Sequence, residues 1–393
     1  MNISRFKSKL VLIFKYGINA VLSLLRVLLW FRSKPMNPQK ICIHRVGQIG
    51  DILCAIPAMK AIRRAYPKAE ITLLTSPGEE GNPGAAELLK GEKWIDHLHV
   101  YYSSELGSLC KIRSFAQKLK YERFDAWFQL PQDITTFKTE LRNMFFAKVV
   151  GVKWAGGYHV NTLKFFVRDQ AKHQKFIRES ELQCRHLKDI GINSCNAGFE
   201  LSIPDGEHIG AERLRNEFGI VEGIIMALAP GGKRPSNRWH VERFAEIGRR
   251  WIASGGQVVI IGGSADKDLG ERIIEECGVR AANLCGKTTL LGAAGILKLS
   301  ELLVTNDSGP MHLAASVCTL CVVVFSARDF PVKWYPVGKD HMVIRKDVPC
   351  SPCFMDVCSN NNLCMAEVQV DEIWDAVTRI TKKERHTFKE VVA

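Results

Sequence analysis

The sequence predicts an α/β protein with two doubly wound parallel-sheet domains that face a central cleft. Three observations predict this class. Short β-rich runs alternate with amphipathic helical stretches, the alternation pauses at a proline-containing segment (202–208) and then resumes, and 393 residues exceed one ordinary core. Strands alternating with helices form parallel sheets through right-handed crossovers. We therefore divide the chain into residues 1–36, 37–205 and 206–393.

The first 36 residues are predicted to form a basic amphipathic helix on a membrane surface. The first fifty residues contain nine Lys or Arg and no Asp or Glu. At helical spacing, five polar residues form one narrow stripe among aliphatic and aromatic ones: Ser8, Lys15, Asn19, Ser23 and Arg26. Basic residues at both ends favour a helix lying in the membrane interface. The alternatives are a single membrane span and a helix docked on the protein with its polar stripe facing water.

The remaining elements form two Rossmann-like series. In the first, strands are predicted at 40–45, 70–76, 96–102 and 124–130, with helices at 51–67, 108–120 and 134–147 and a charged helical segment at about 160–192. The second series has strands at 223–230, 257–263, 301–307 and 321–327, with helices at 241–254, 266–277 and 288–298. Ligands of such folds bind beyond the carboxyl ends of the strands, where the candidate site residues fall.

The stretch RVGQIGD (45–51) joins the first predicted strand to its helix. Gly47 and Gly50 permit a tight turn and leave room for a ligand, while the helix N-terminus favours an ionised carboxylate at Asp51. Asp51 fits two interpretations equally well. It is either the N-cap of the helix or a general base.

In the second series, the stretch PGGKRPSNRWH (230–240) places Lys233, Arg234 and Arg238 between a strand and a helix. Three cations there are suited to stabilising a diphosphate leaving group. The alternative is a solvated basic loop. Trp239, at the end of this stretch, is predicted to be a core anchor.

The stretch NDSGPMH (306–312) follows a strand that ends at Thr305 and opens a helix at or near Pro310. Asp307, Ser308 and Gly309 are expected to present backbone N–H groups at the helix start, which is a ready anion site. His312 lies on the first turn. Helix capping explains Asp307 or Ser308 but gives no reason for the histidine beside them.

Other patterns exclude several classes of function. CGKTT (285–289) lacks the first glycine of a phosphate-binding P-loop, and DKD (266–268) falls at a helix start, where acidic residues stabilise the helix. The basic residues concentrate on an apolar helix without aromatics on a polar face, so nucleic acid is not a predicted partner.

Together GQIGD, PGGKRPSNRWHVERFAE and NDSGPMH resemble glycosyltransferase family 9, the ADP-heptose:lipopolysaccharide heptosyltransferases, over about residues 41–377. The resemblance implies a GT-B fold, a bacterial enzyme on the cytoplasmic face of the inner membrane, and inverting transfer of heptose from ADP-heptose to the growing lipopolysaccharide core without a required metal or cofactor. It implies that Asp51 is the general base. It also implies donor binding by the two later motifs, through Lys233, Arg234, Arg238, Asp307, Ser308, Gly309 and His312.

One residue departs from the family pattern. Asn237 stands where many members have lysine, so Lys233, Arg234 or Arg238 would have to supply the missing charge. The departure leaves two alternatives open. They are a family member with another nucleotide sugar or acceptor, and an impaired homologue that binds core oligosaccharide without transfer.

The cysteines form a separate pattern. Thirteen cysteines without a clear secretory signal predict mostly free, buried thiols in a reducing cytosol. The last four, with C-x2-C-x4-C-x5-C spacing in the loop 350–364, predict a structural zinc site: Cys350, Cys353, Cys358 and Cys364. Free thiols, a reversible disulfide and an iron–sulfur cluster are the alternatives.

Overall fold

The computed structural model describes residues 3–30, 33–163, 176–193, 198–220, 224–278 and 280–392. The chain forms two compact units, Met1–Phe199 and Glu200–Ala393. Each unit contains one parallel sheet with helices between its strands, so the predicted fold class is confirmed.

The amino-terminal unit begins with α1 (Ile3–Leu29), which precedes the sheet. Its strands are β1 (Lys40–Val46), β2 (Glu70–Ser76), β3 (His97–Val100), β4 (Ala126–Leu130) and β5 (Trp154–Gly156). They lie in the order β3-β2-β1-β4-β5. The helices of this unit are α2 (Ile49–Ala65), α3 (Ala85–Leu88), α4 (Leu109–Lys120), α5 (Phe137–Val150) and α6 (Glu179–Asp189).

The carboxy-terminal unit has strands β6 (Ile225–Ala229), β7 (Gln257–Ile260), β8 (Ala281–Asn283), β9 (Leu302–Asn306), β10 (Leu320–Phe325) and β11 (Met342–Arg345). Their order is β11-β10-β9-β6-β7-β8. Its helices are α7 (Asp205–Glu217), α8 (Val241–Ala253), α9 (Lys267–Cys277), α10 (Leu290–Lys298), α11 (Gly309–Ser316), α12 (Leu363–Ala366) and α13 (Val370–Val392).

Two segments between the predicted strands differ most from the sequence predictions. The predicted linker 202–208 is non-helical only as far as Pro204, because α7 begins at Asp205 with Asp205 and Glu207 in its first turn. Acidic side chains stabilise the positive end of a helix dipole, which explains this start. Of the predicted helical segment 160–192, the structure gives α6, and residues 164–175 lie outside the described part.

Strand pairing determines which loops become neighbours. β1 lies between β2 and β4, and β6 lies between β7 and β9. In the second sheet Ala229 is in register with Thr305. Because the strands are parallel, the loop after β6 and the loop after β9 leave the same edge side by side. This register brings the two later sequence motifs together.

Candidate functional site

The turn between β1 and α2 requires a glycine at one position. Gly47 has φ +151°, and a Cβ atom placed there would lie 2.1 Å from Cβ of Asp51. Any larger residue would therefore collide with the carboxylate side chain. Gly50 was expected to share the turn, but it lies in the first turn of α2. The chain therefore changes direction at Gly47 and not at Gly50.

Asp51 caps α2 from inside the helix. Gln48 is the N-cap residue, and Oδ2 of Asp51, three residues later, accepts a hydrogen bond from its backbone N–H at 3.1 Å. The N-cap interpretation is therefore wrong about position, although the carboxylate does satisfy a helix-start donor. Asp51 retains 30% exposure of its side chain. It can still reach a ligand.

A buried ion cluster, which no sequence pattern indicated, lies behind Asp51. The guanidinium of Arg45 is fully buried, and its Nη2 lies 3.5 Å from Oδ1 of Asp51 and 3.5 Å from Oε1 of Glu179. Its Nη1 donates to the carbonyl oxygen of Pro131 at 2.6 Å. Gln183 donates to the same Glu179 oxygen at 2.7 Å. One cation thus contacts two carboxylates.

In the carboxy-terminal unit, Asn306 joins the two motif-bearing loops. This fully buried side chain donates to the carbonyl oxygens of Pro230 and Gly231 at 2.7 and 3.2 Å. Its Oδ1 accepts from the backbone N–H of Trp239 at 2.9 Å. Asn306 is the first residue of the stretch NDSGPMH. Its role in joining the two loops was not predicted, because that role depends on strand register.

The loop after β6 carries the three predicted cations. Lys233 and Arg234 are exposed, and Arg234 forms an ion pair with Asp356 at 2.8 Å. Arg238 is half-buried, with Nε donating to the carbonyl oxygen of Gly232 at 2.8 Å. Trp239 is 3% exposed and belongs to the hydrophobic core, so its predicted anchoring role is confirmed.

Asn237 lies against the other motif. Its amide nitrogen donates to the backbone oxygen of Asp307 at 2.9 Å and to Oδ2 of the same residue at 3.3 Å. Burial, together with the neighbouring carboxylate of Asp329, raises the pKa of Asp307 to about 7. A neutral amide therefore stands where a cation would have kept Asp307 ionised.

The start of α11 lacks a side-chain cap. Ser308 occupies the N-cap position, but its hydroxyl donates to the carbonyl oxygen of Asn306 at 3.3 Å. The first-turn N–H groups, beginning at Gly309, are thus left without that capping partner, as an anion site requires. His312 is 6% exposed, and burial lowers its pKa to about 4. The imidazole is neutral near pH 7.

The four predicted zinc ligands surround one small cavity. Cys350, Cys353, Cys358 and Cys364 are free thiols that line it together with Ser236 and Arg328. The donor set suits zinc, but a tetrahedral thiolate site needs sulfur atoms about 3.8 Å apart. Within the described ranges, three such sulfurs do not form a group with all ligand atoms within 4.8 Å. Most described cysteines are free, as predicted, but fewer than half of these free thiols are buried, and Cys184 is disulfide-bonded.

The cysteine loop supports the turn that carries Asn237. Ser236 donates from its backbone N–H to the carbonyl oxygen of Asp356 at 3.2 Å and from its hydroxyl to that of Met355 at 2.8 Å. Asn362 donates to the carbonyl oxygen of Pro235 at 2.9 Å. The loop therefore has a structural role beside the candidate anion site.

Helix α1 docks on the amino-terminal unit with part of its polar stripe inward. Asn19 accepts from the backbone N–H of Val160 at 2.8 Å and donates to its carbonyl oxygen at 3.1 Å. Leu22 and Trp30 are buried, and Trp30 donates to the carbonyl oxygen of Val152 at 2.9 Å. The docked alternative is therefore right that the helix packs on the protein, but wrong that its polar stripe faces water, because Asn19 of the stripe is hydrogen-bonded inward.

The outward face of α1 is apolar. Its exposed large side chains are Leu10, Leu12, Ile13, Phe14, Tyr16, Val21, Leu24, Val27 and Leu28. Residues Leu10–Leu29 are long and apolar enough to cross a membrane, and only 11% of the most apolar window is buried. An exposed apolar surface of this extent indicates an interaction face.

Comparison with known proteins identifies related sequences and folds. The profile of "Glycosyltransferase family 9 (heptosyltransferase)" matches residues 112–364. Lipopolysaccharide heptosyltransferase 2 of Escherichia coli is 32% identical over 301 residues, covering 74% of this chain and 84% of that protein. Lipooligosaccharide heptosyltransferase 2 of Campylobacter jejuni is 26% identical over 352 residues, covering 87% of this chain and 98% of that protein.

Two solved structures share the fold. A glycosyl transferase family 9 protein from Veillonella parvula has a TM-score of 0.74 at 18% identity, covering 90% of this chain and 100% of its own. The E. coli ADP-heptose lps heptosyltransferase II has a TM-score of 0.64 at 20% identity, covering 88% and 99%. Both similarities extend over the two units.

Proposed function

Because the chain belongs to glycosyltransferase family 9, we propose that it transfers a heptose from ADP-heptose to the growing inner core of lipopolysaccharide. The names of its relatives and of the E. coli structure support the donor and the acceptor class. One observation on the residues of this chain supports the proposal. The cationic loop 231–238 lies beside the uncapped start of α11, and this arrangement of charge and backbone N–H groups supports diphosphate binding.

In the proposed reaction, the carboxy-terminal unit holds the donor. Lys233, Arg234 and Arg238 supply positive charge to the diphosphate, and the backbone N–H groups at Gly309 bind its oxygens. His312, neutral near pH 7, contributes a hydrogen bond rather than charge. These contacts stabilise the negative charge that develops on departing ADP.

Asp51 is proposed to accept the proton of the attacking acceptor hydroxyl. The hydroxyl oxygen forms a bond to the anomeric carbon, the bond from that carbon to the phosphate oxygen breaks, and ADP leaves with the electron pair. A single displacement inverts the anomeric configuration. No metal or other cofactor takes part in this proposed scheme, and the proposed structural zinc of the cysteine loop lies outside it.

The test of the function is a transfer assay with ADP-heptose and a heptose-deficient core acceptor, with and without chelator. We expect chelator-resistant transfer with inverted configuration at the new linkage. Binding of ADP-heptose without transfer to any core acceptor would favour the impaired homologue, which the Asn237 departure motivates. Transfer from UDP- or GDP-sugars alone would favour another donor.

Donor affinity is expected to depend on pH through Asp307. As pH rises from about 6 to about 8, through the pKa of about 7, this carboxyl gains a negative charge near the bound diphosphate. We expect affinity for ADP-heptose to fall roughly tenfold, the effect of one like charge at a partly solvated site. Calorimetric titration at several pH values measures this. ADP-heptose is the suitable probe because its diphosphate diester does not titrate in this range.

Asp307→Asn supplies the control for this pH dependence. The affinity of the variant for the donor should change little over the same pH range. If its affinity depended on pH as strongly as that of the wild type, Asp307 would not be the cause.

The stability of the protein should also depend on pH through Asp307. Between pH 3.8 and about 7, the two pKa values of Asp307, the folded chain holds a proton that the unfolded chain has released. The free energy of unfolding should therefore decrease as pH rises through this window.

We also propose that α1 holds the enzyme on the cytoplasmic face of the inner membrane. The outward apolar face enters the lipid interface, and the basic residues near both helix ends contact anionic headgroups. Docking from Asn19 to Trp30 supports an interfacial helix rather than a span. A span would carry the attached amino-terminal unit into the hydrocarbon, where its polar groups lack partners.

The variant Phe14→Glu/Leu24→Glu tests the membrane proposal. Both side chains are more than half exposed, at 58% and 59%, so folding should be unaffected. In the proposed bound state these two apolar side chains are buried in lipid, which contributes about 1.5–3 kcal/mol each. Their loss should weaken binding to phosphatidylglycerol vesicles by more than about 100-fold. Ile209→Glu, an exposed site on α7, is the control. Equal vesicle binding by the wild type, the double variant and Ile209→Glu would refute the proposal.

A further inference from the structure

We propose that the amino-terminal unit has a transition-metal site formed by His159, His186 and Asp189, with zinc as its matching ion. Each residue offers one ligand atom, and these atoms all lie within 4.8 Å of one another. Two imidazoles and a carboxylate form a donor set that binds zinc and similar divalent ions. This inference does not depend on the proposed transfer reaction.

The fold brings the three ligands together from two elements. His186 and Asp189 are three residues apart on α6, so they share one helix face. His159 follows β5 and lies two residues after Gly157. That glycine has φ +95°, and a Cβ atom there would lie 2.2 Å from the carbonyl oxygen of Gln129. The close passage fixes the path of the chain and leaves the His159 and His186 rings 4.0 Å apart.

The surroundings of His186 resemble those of a metal ligand. Its Nε2 lies 2.8 Å from Oδ1 of Asn161, an acceptor, so Nε2 carries the ring proton. Metal-binding histidines are commonly oriented by such a hydrogen bond from the nitrogen that does not bind the ion. Asn161 is therefore the orienting partner, and it comes from the same segment as His159.

The other two ligands can close around an ion. His159 is half-buried, and its ring already stacks on that of His186. Asp189 is exposed and free to change rotamer, and its carboxylate supplies negative charge. In a tetrahedral zinc site, nitrogen and oxygen ligands lie about 3.3 Å apart. Small side-chain rotations would bring the ligands from the observed spacing to that value.

The position of this metal site on α6 indicates a structural role. His186 lies seven positions after Glu179 of the Asp51 cluster on α6, which is about 10 Å along the helix. The ion is thus remote from the proposed base. It would instead join α6 to the segment 159–161, whose Val160 makes both hydrogen bonds to Asn19 of α1. Metal binding should therefore stabilise the platform on which α1 docks.

The test measures zinc and cobalt binding by the full-length protein and three variants. His159→Ala and Asp189→Asn each remove one ligand, and Asp189→Asn keeps the size of an exposed side chain. Glu181→Gln is the matched control, because it neutralises another exposed carboxylate on α6 outside the cluster. Circular dichroism confirms that each variant is folded. The Co2+ spectrum separates this site from any thiolate site, since only cysteine ligands give an intense sulfur-to-cobalt charge-transfer band.

We expect the wild type and Glu181→Gln to bind one zinc ion more than the other two variants, or to bind it at least about tenfold more tightly. Zinc should raise the unfolding temperature of the first pair only. The corresponding Co2+ absorption should lack the thiolate band. Equal metal content and equal zinc affinity in all four proteins would overturn the proposal, as would a zinc effect that disappears only on cysteine substitution.

Discussion

Replacing Asp51 by asparagine is expected to slow heptose transfer by about 10²–10⁴-fold, the usual contribution of a general base. Asparagine keeps the size of the side chain and an oxygen that accepts the hydrogen bond from the Gln48 N–H. It removes the charge that would take the acceptor proton. The fold should be retained, and affinity for ADP-heptose should change little, because the donor contacts lie on other residues. Single-turnover transfer and calorimetric binding measure the two effects separately.

The control for this experiment is a capping carboxylate with no proposed chemistry. Glu105 accepts a hydrogen bond from the backbone N–H of Tyr102 at 2.9 Å, in the same geometric role as Asp51. Glu105→Gln should transfer heptose at the wild-type rate. Full activity of Asp51→Asn would leave helix capping as the role of Asp51 and would remove it as the base.

The Arg45 cluster marks a limit of sequence analysis. Sequence reasoning identified Asp51 from two glycines and a helix start, all within seven residues. It missed Arg45 and Glu179 as a pair, since Glu179 is 134 positions from Arg45 and meets it only through packing. Local patterns report local geometry. A buried ion pair depends on the path of the whole chain, so no spacing in the sequence indicates it.

Helix α1 illustrates a different limit. The periodicity of Lys15, Asn19 and Arg26 correctly gave an amphipathic helix with one polar stripe. It did not indicate which face of the helix packs against the rest of the protein. The docked alternative predicted that the polar stripe faces water. Asn19 instead faces the backbone of Val160. Hydrophobic contrast defines two faces, but tertiary contacts decide which face is buried.

The missed strands were short and lay toward sheet edges. β5 and β8 have three residues each, and β11 has four. Runs of this length show neither a clear apolar block nor an alternating pattern. The longer central strands β1, β6 and β9 were predicted because buried parallel strands are continuous apolar runs. These central strands carry the candidate site, so the site motifs could be found from sequence.

Asn237→Lys is expected to raise affinity for ADP-heptose by roughly 10- to 100-fold, the range of one added charge-assisted hydrogen bond. The Asn237 amide contacts both the carboxylate and the backbone oxygen of Asp307. A lysine ammonium at this place would neutralise that carboxylate and add a cation beside the diphosphate. It should also lower the pKa of Asp307 from about 7, because an adjacent cation favours the ionised form.

Two consequences of Asn237→Lys can be separated by one control. Asn237→Gln adds length without charge, so it should neither strengthen donor binding nor move the pH dependence. Calorimetric titration at about pH 6 and about pH 8 tests both variants. If lysine and glutamine have equal effects, charge at this position does not limit donor binding. If lysine alone tightens binding and shifts its pH dependence to lower pH, the departure at Asn237 is a specific weakening of the donor site. The intact Asn306 hydrogen bonds and the uncapped α11 then account for the binding that remains.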